Sequence, residues 1–366
     1  MAITYTASAA RVQAWDDSFY TEYVRESRWR PYMGTSENSI IQVKERGSGT
    51  WKRGDRFTFN FVGQLTNSGV TGSNMMEGNE EALDQHAFLL SVDKIRNAVI
   101  IPEVEEIKNA IDMRDAARET LKTWISKDLR DKLTLAAGNI NGVAFASATE
   151  AQRDAWLDYN NDRVLFGAAT SNTDSSGGSG GLGYDFSDSL VTIDNTADKL
   201  TPDALGLMKR LAQSASPIIQ PVRTNGDEEW YVALVNKYAM RDLKANSTFM
   251  QANREARERS KENPIFKGAD YVWDGMIIRE FPEIPLTTNG TIQVGPVYLM
   301  GAQAMGMAWA RRSRTVTKQF DYDDKWGVEM SEIRGMDKLR FGYNTVDDTN
   351  TKDAGMVTGW FAAVAD

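Results

Sequence analysis

The sequence contains no cysteine and a single histidine, His86. The first absence excludes disulfides, thiolate metal sites and cysteine nucleophiles. The second leaves almost no supply of the side chain that most often serves as general base near neutral pH and as metal ligand. Only carboxylate or lysine chemistry stays readily available, and no cofactor is expected. No apolar stretch approaches the roughly 20 residues needed to cross a bilayer. The start, Met1-Ala2-Ile3-Thr4-Tyr5, lacks the basic-then-apolar order of a signal peptide. No membrane partner is therefore expected. Positive charge is also short: 42 Lys and Arg face 51 Asp and Glu, for a net charge of −9. Tight non-specific binding of nucleic acid needs clustered cations that displace counterions, so an ordinary DNA-binding role is not expected.

What is present is enough for a sizeable core. The chain has 366 residues, 41% hydrophobic and 25% charged, the balance of a globular protein. Its first fifty residues are unusual for a domain start. Trp15, Phe19, Tyr20, Tyr23, Trp29 and Tyr32 are interleaved with Arg11, Arg25, Arg28 and Arg30, and only residues 11–25 form an amphipathic stretch. Two readings stand: a helix on its own core, or an arm whose aromatic and Arg side chains anchor on a neighbouring subunit.

Strand alternation follows from Arg56, with Phe57, Phe59 and Phe61 on one face. A polar, Gly-rich tip over 67–74 leads to a return strand expected over 86–101. Such a two-stranded excursion is marginal alone and needs something to lie on. Pro102 and three early glutamates then predict a helix over 103–137. Its apolar stripe runs through Ile107, Leu121, Ile125, Leu129 and Leu133, and Gly138 stops it. A helix of that length would be a rod of roughly 50 Å, useful to an extended subunit and rarely to a compact enzyme. Beyond a helix at 150–157 and a Ser/Gly loop at 171–183, a second unit begins near Leu200. It mixes helices with apolar strands such as Trp230–Val235, Trp273–Phe281 and a run from Gly295, giving an α+β pattern. Pieces at 318–322, 326–330 and 338–342 read as closing strands, and the last residues give no clear element.

Chemical motifs are weak. The glycines of 177–183 are followed by Tyr184-Asp185-Phe186, with no Lys-Ser or Lys-Thr to complete a phosphate loop. The faint calcium-loop spacing at Asn172, Asp174 and Ser176 lacks its final acid. Asp321, Asp323 and Asp324 read as a solvated acidic face, and His86 as an ordinary strand residue. Arg311, Arg312 and Arg314 form a tight basic cluster, assigned to salt bridges with a neighbour ahead of packaged DNA.

The order of arm, hairpin, very long helix, α+β unit and closing strands resembles the Hong Kong 97-type capsid fold of tailed phages. Local sequence resembles the major capsid family related to the coat protein of the N-four podophages. The carrying segments are Trp51-Lys52-Arg53-Gly54-Asp55, Trp230–Val235 with Asp242-Leu243, Trp273–Ile278, Gly301-Ala302-Gln303-Ala304 and Asp324–Glu329. The resemblance implies an N-terminal arm (1–49), an extended loop (50–101), a peripheral domain with its spine helix (102–199), an axial domain (200–317) and closing strands with a tail (318–366). It implies a non-enzymatic subunit that tiles an icosahedral head as hexamers and pentamers, assembled in the host cytoplasm. The DNA inside would be touched weakly, and a portal and decoration or scaffolding proteins would be partners. Expected interface residues are Trp15, Phe19, Tyr20, Trp29, Lys52, Arg53, Asp55, Arg56, Phe59 and the three arginines. Some relatives crosslink a lysine to a neighbour's asparagine; no asparagine is marked here, and crosslinking is not expected. The competing readings are a glycosidase-like enzyme with paired carboxylates and another virion part, such as a tail-tube subunit.

Overall fold

The structure, a computed structural model, describes residues 27–46, 56–62, 69–72, 75–81, 85–108, 113–168, 183–223, 228–257, 271–322, 324–342 and 351–365. Two main sheets organise it. The first has five strands in the order Met33–Gly34, Ile41–Glu45, Met305–Phe320, Lys325–Lys338, Asp93–Pro102. Its centre is the long antiparallel hairpin Met305–Phe320 with Lys325–Lys338. Ile41–Glu45 adds in parallel on one side, and Asp93–Pro102 antiparallel on the other.

The second sheet has eight strands, with Met356–Ala362, Gln293–Met300 and Glu229–Val235 at its centre. These three are buried along nearly their whole length. That explains their near-continuous apolar sequences, because a strand covered on both faces has no polar side to show. Tyr231, Ala233, Val297 and Leu299 face helices Pro202–Ser214, Lys237–Ala245 and Ser247–Arg257, through Leu205, Met208, Leu243 and Phe249. Val232, Leu234, Tyr298 and Met300 face the other way, toward the long helix.

That helix is Met113–Ala137, 25 residues, or about 37 Å at 1.5 Å per residue. Leu121, Ile125, Leu129 and Leu133 recur every fourth residue and are all buried. Each such step turns the contact by about 40°, so the stripe winds round the helix. It meets Val328 and Met330 of the first sheet as well as Tyr298 of the second. The phenol oxygen of Tyr298 lies so close to Gly138 that a Cβ there would sit 2.8 Å from it. The expected unbroken helix over 103–137 is instead described as Glu103–Lys108 and Met113–Ala137, with 109–112 outside the described residues. Pro102 closes the strand Asp93–Pro102 rather than opening the helix.

The extended loop is a hairpin of Arg56–Val62 with Gln85–Ser91, paired from Arg56–Ser91 to Val62–Gln85. The expected single return strand divides at Val92. Before it the chain pairs within the hairpin; after it, Asp93–Pro102 pairs with Lys325–Lys338. The hairpin base rests on its own subunit, where Phe59, Phe88 and Leu90 pack on Ala308 and Leu339. A Cβ at Gly335 would stand 2.1 Å from the Ser91 carbonyl oxygen, so only glycine lets the base sit this close.

The expected boundary at 317 falls inside the strand Met305–Phe320. The closing piece 318–366 also divides. Lys325–Lys338 joins the first sheet, whereas Met356–Ala362 is a central strand of the second. The second sheet needs a strand that can be buried along its whole length between Val164–Phe166 and Gln293–Met300, and Met356–Ala362 supplies it.

Leu129 touches the core from the middle of the stripe and is 0% exposed. Leu129→Ala is expected to cost about 2–5 kcal/mol, measured by denaturant unfolding of the unassembled subunit. A cost below about 0.5 kcal/mol, the size of an ordinary surface change, would contradict the packing described.

Candidate functional site

Among the described residues no group of three or more His, Asp or Glu side chains is placed to hold a metal. Nor is any helix there long and apolar enough to cross a membrane. Asp321 pairs with Lys325 at 2.8 Å, a contact that holds its carboxyl below the usual range; Asp323 is outside the described residues. The candidate site is therefore a surface: the side chains that one subunit leaves uncovered and the charges that hold that surface in shape.

Of the residues expected at an interface, Trp15, Phe19, Tyr20, Lys52, Arg53 and Asp55 lie outside the described residues. Trp29 does not project toward a neighbour. It is 0% exposed, with its ring 4.8 Å from that of Phe281. The 3₁₀ turn Arg30–Tyr32 folds the segment back onto the core. Phe59 is likewise buried in its own subunit, because the hairpin base seats there. Arg56 is exposed.

The arginine cluster divides in three. Arg312 pairs inside the chain with Glu45 at 2.5 Å, and Arg311 donates to the Ser331 hydroxyl at 3.0 Å. Arg314 is exposed on the sheet. Register shifts between Trp309 and Arg314 re-aim successive side chains.

Among the described residues, exposed large apolar side chains cluster in two places, with Leu89, Leu135, Val191 and Ile218 exposed elsewhere. One is the hairpin tip, with Met75 at 70% and Met76 also exposed. The other is the far end of the first sheet. Ile100, Val316, Phe320 and Tyr322 are exposed there, beside Val104 and Ile107 of the short helix Glu103–Lys108, with Ile107 at 77%. The Glu103 N–H donates to the Asp324 carbonyl at 2.8 Å and ties that helix to the sheet end. The sequence signal for the first place was Met75-Met76 just past the expected polar tip. For the second it was the alternation Arg96, Ala98, Ile100 in a strand with one covered face.

Buried charges brace this framework. Arg334 and Glu332, both wholly buried, pair at 3.0 Å, and Arg334 also pairs with Asp128 of the long helix. Lys338 pairs with Asp353 at 2.7 Å, while the Trp156 indole N–H donates to the same carboxylate at 3.2 Å. Arg163 donates to the Asp353 carbonyl and, at 2.8 Å, to that of Pro217. Burial pulls its guanidinium below its ordinary pKa, opposed by Asp162 and Asp353. These contacts join the long hairpin, the long helix and the C-terminal segment.

A sheet with an extended hairpin on one face and a long helix on the other, joined to a helix-covered second sheet, is the Hong Kong 97-type capsid fold. The protein is thus a structural shell subunit. The chain belongs to the phage capsid protein family, whose model matches residues 3–364. It is 27% identical to the major capsid protein of Pseudomonas phage KPP25, across 95% of this chain and 94% of that one. Among solved structures, it is similar to the cyanophage Pam1 capsid asymmetric unit, with TM-score 0.78 and 32% identity over the whole of both chains. The capsid of Ralstonia phage GP4 shares the fold, with TM-score 0.70 and 20% identity over 93% of this chain and 91% of that one. As a member of this family the protein is part of the virion capsid.

Removing one partner of a buried ion pair strands the other charge. Asp353→Ala is expected to cost about 3–5 kcal/mol, with most of the loss recovered in Asp353→Leu/Lys338→Met. Denaturant unfolding of the three proteins checks this. Equal stability of the Asp353→Ala variant and the parent would show that the pair braces nothing.

Proposed function

We propose that this major capsid protein builds its icosahedral shell by laying extended parts of each subunit on its neighbours, as hexamers and pentamers around a double-stranded DNA genome. The observation that carries the reading is the placement of exposed apolar side chains. Among the described residues, most of them gather at the hairpin tip and at the far end of the first sheet. Contiguous exposed apolar surface marks an interaction site. At about 25 cal/mol per Å² of apolar area, each overlap contributes several kcal/mol before ordering costs are subtracted. Repetition over the shell makes these modest contacts collectively strong.

A net charge of −9 suits a wall that contains DNA without gripping it. The genome then enters and leaves against weak, non-specific contacts. A portal at one vertex, and decoration or scaffolding proteins, are the further partners this role calls for. Subunits would assemble in the host cytoplasm. The thin inventory of catalytic side chains agrees with a mechanical role rather than an enzymatic one.

Deleting residues 64–80 is expected to leave a soluble, folded subunit that forms no shells, as judged by circular dichroism and negative-stain microscopy. Shells of normal diameter would show that the hairpin is not the clasp. Ile107→Asp with Phe320→Asp is expected to lower shell yield at least ten-fold in sedimentation while leaving the melting temperature of the free subunit unchanged. Unchanged yield would remove the sheet end from the interface.

A further inference from the structure

A cavity of about 540 Å³ lies between the second sheet and the segment 31–40. Strand register sets its floor. Val232 stands opposite Ile277, Ile277 opposite Val272, and Trp230 opposite Val222. Directly opposed residues project to the same side of a sheet, as do residues two apart in one strand. Trp230, Val232 and Leu234 therefore share one side with Arg279, which opposes Leu234. Deeper in the subunit that side is covered, and Leu234 packs in the same core as the long helix. Around the cavity the cover gives out, so Val222, Trp230, Val272 and Ile277 are only half-buried. These side chains enclose space where the rest of the face has a packing partner.

The roof is held in place by the chain itself. The Asn38 side chain donates to the Arg223 carbonyl at 2.6 Å and accepts the Arg223 N–H at 2.9 Å. The Gln303 N–H donates to the Ser39 carbonyl at 2.8 Å, and the Met305 N–H donates to that of Ile40 at 3.0 Å. Tyr32, also in the lining, has the Arg279 guanidinium 5.4 Å from its ring. Two charged side chains line the cavity, Arg279 and Glu228. Glu228 is exposed and accepts the Trp230 indole N–H at 3.3 Å, so it marks the open end. Arg279 is half-buried at the inner end, where its guanidinium also reaches the Arg28 carbonyl at 3.5 Å. Its row and that of Trp230 are four residues apart along the sheet, about 13 Å. A preformed, mostly apolar pocket of this volume with a few placed polar groups is the usual form of a small-molecule site.

We propose that this cavity binds a single-chain amphiphile with an anionic head, of the fatty-acid class. Its carboxylate meets Arg279 at the inner end, and its chain lies along Ile277, Val232 and Trp230. Charge selects the head and its direction. The cation stands at the inner end, and Glu228 repels an anion left at the mouth. The charge-assisted bond to the guanidinium offsets the loss of water around the carboxylate. Shape selects the tail, because an apolar floor about 13 Å long suits an extended chain. The site lies within one subunit, so the inference stands apart from the shell-building reading.

Calorimetric titration of the free subunit with dodecanoate tests the assignment. Saturable binding of one ligand per chain is expected. Dodecan-1-ol, with the same chain and no charge, is expected to bind about ten-fold more weakly. Arg279→Gln is expected to weaken dodecanoate by a similar factor while leaving dodecan-1-ol unchanged; a merely structural role would weaken both. Arg279→Lys, which keeps the charge, is expected to retain most of the affinity. Val272 is on the edge strand of the sheet, so Val272→Trp fills the cavity from its margin. That variant is expected to bind neither ligand while its ligand-free melting temperature stays at the parent's. Phosphatidylglycerol vesicles carry the same anionic and acyl chemistry in a bilayer and are expected not to displace dodecanoate. Displacement by vesicles would overturn the free-acid assignment in favour of membrane lipid. No saturable binding to the parent, equal binding of acid and alcohol, or full dodecanoate binding by Arg279→Gln or Val272→Trp overturns the inference.

Discussion

Most of the molecule follows from one contact, the buried stripe Leu121, Ile125, Leu129 and Leu133 of the long helix. Spaced every four residues, it winds round the helix and so covers the inner faces of both sheets at once. With one face of the first sheet satisfied by the helix, its other face is left to the hairpin base and to exposed cations such as Arg96 and Arg314. With one face of the second sheet satisfied likewise, three shorter helices complete the other. What a single chain cannot cover is thereby displaced to its margins, which is the arrangement a tiling subunit needs.

Charge has two separate tasks in this design. Inside, Arg334 with Glu332 and Asp128, and Lys338 with Asp353, tie strands and helix together where water is excluded. Buried pairs of this kind add little net stability, but breaking one is costly, so they hold register against shear. Outside, Arg96 and Arg314 stand exposed on the sheet, and neither forms an ion pair among the described residues. The interior charges keep the shape of the sheet that carries these cations.

Much of this was legible in the sequence. The Phe57, Phe59, Phe61 alternation marked the hairpin, the apolar stripe marked the long helix, and near-continuous apolar runs marked strands buried on both faces. Three features were not legible, each because tertiary partners decided it. Val92 reads as one more strand residue, yet the chain changes partners there because Lys325–Lys338 has a free edge. Trp29 reads as an exposed anchor, yet a short turn folds it against Phe281. Met356–Ala362 comes after a stretch with no clear periodicity, yet the second sheet requires it at its centre. On the surface, local sequence pointed to Arg311, Arg312 and Arg314 as one cluster. Only the register showed that Arg312 is spent on Glu45 and that Arg314 shares its face with Arg96 from a distant strand.

The central claim is that the exposed margins of one subunit are covered by other copies of itself. Backbone hydrogen exchange, compared between free subunits and assembled shells, tests it most directly. Assembly is predicted to slow exchange strongly at 75–81, 94–100 and 314–320, while the long helix around 121–133 exchanges at the same slow rate in both states. Equal exchange at those margins before and after assembly would contradict the account.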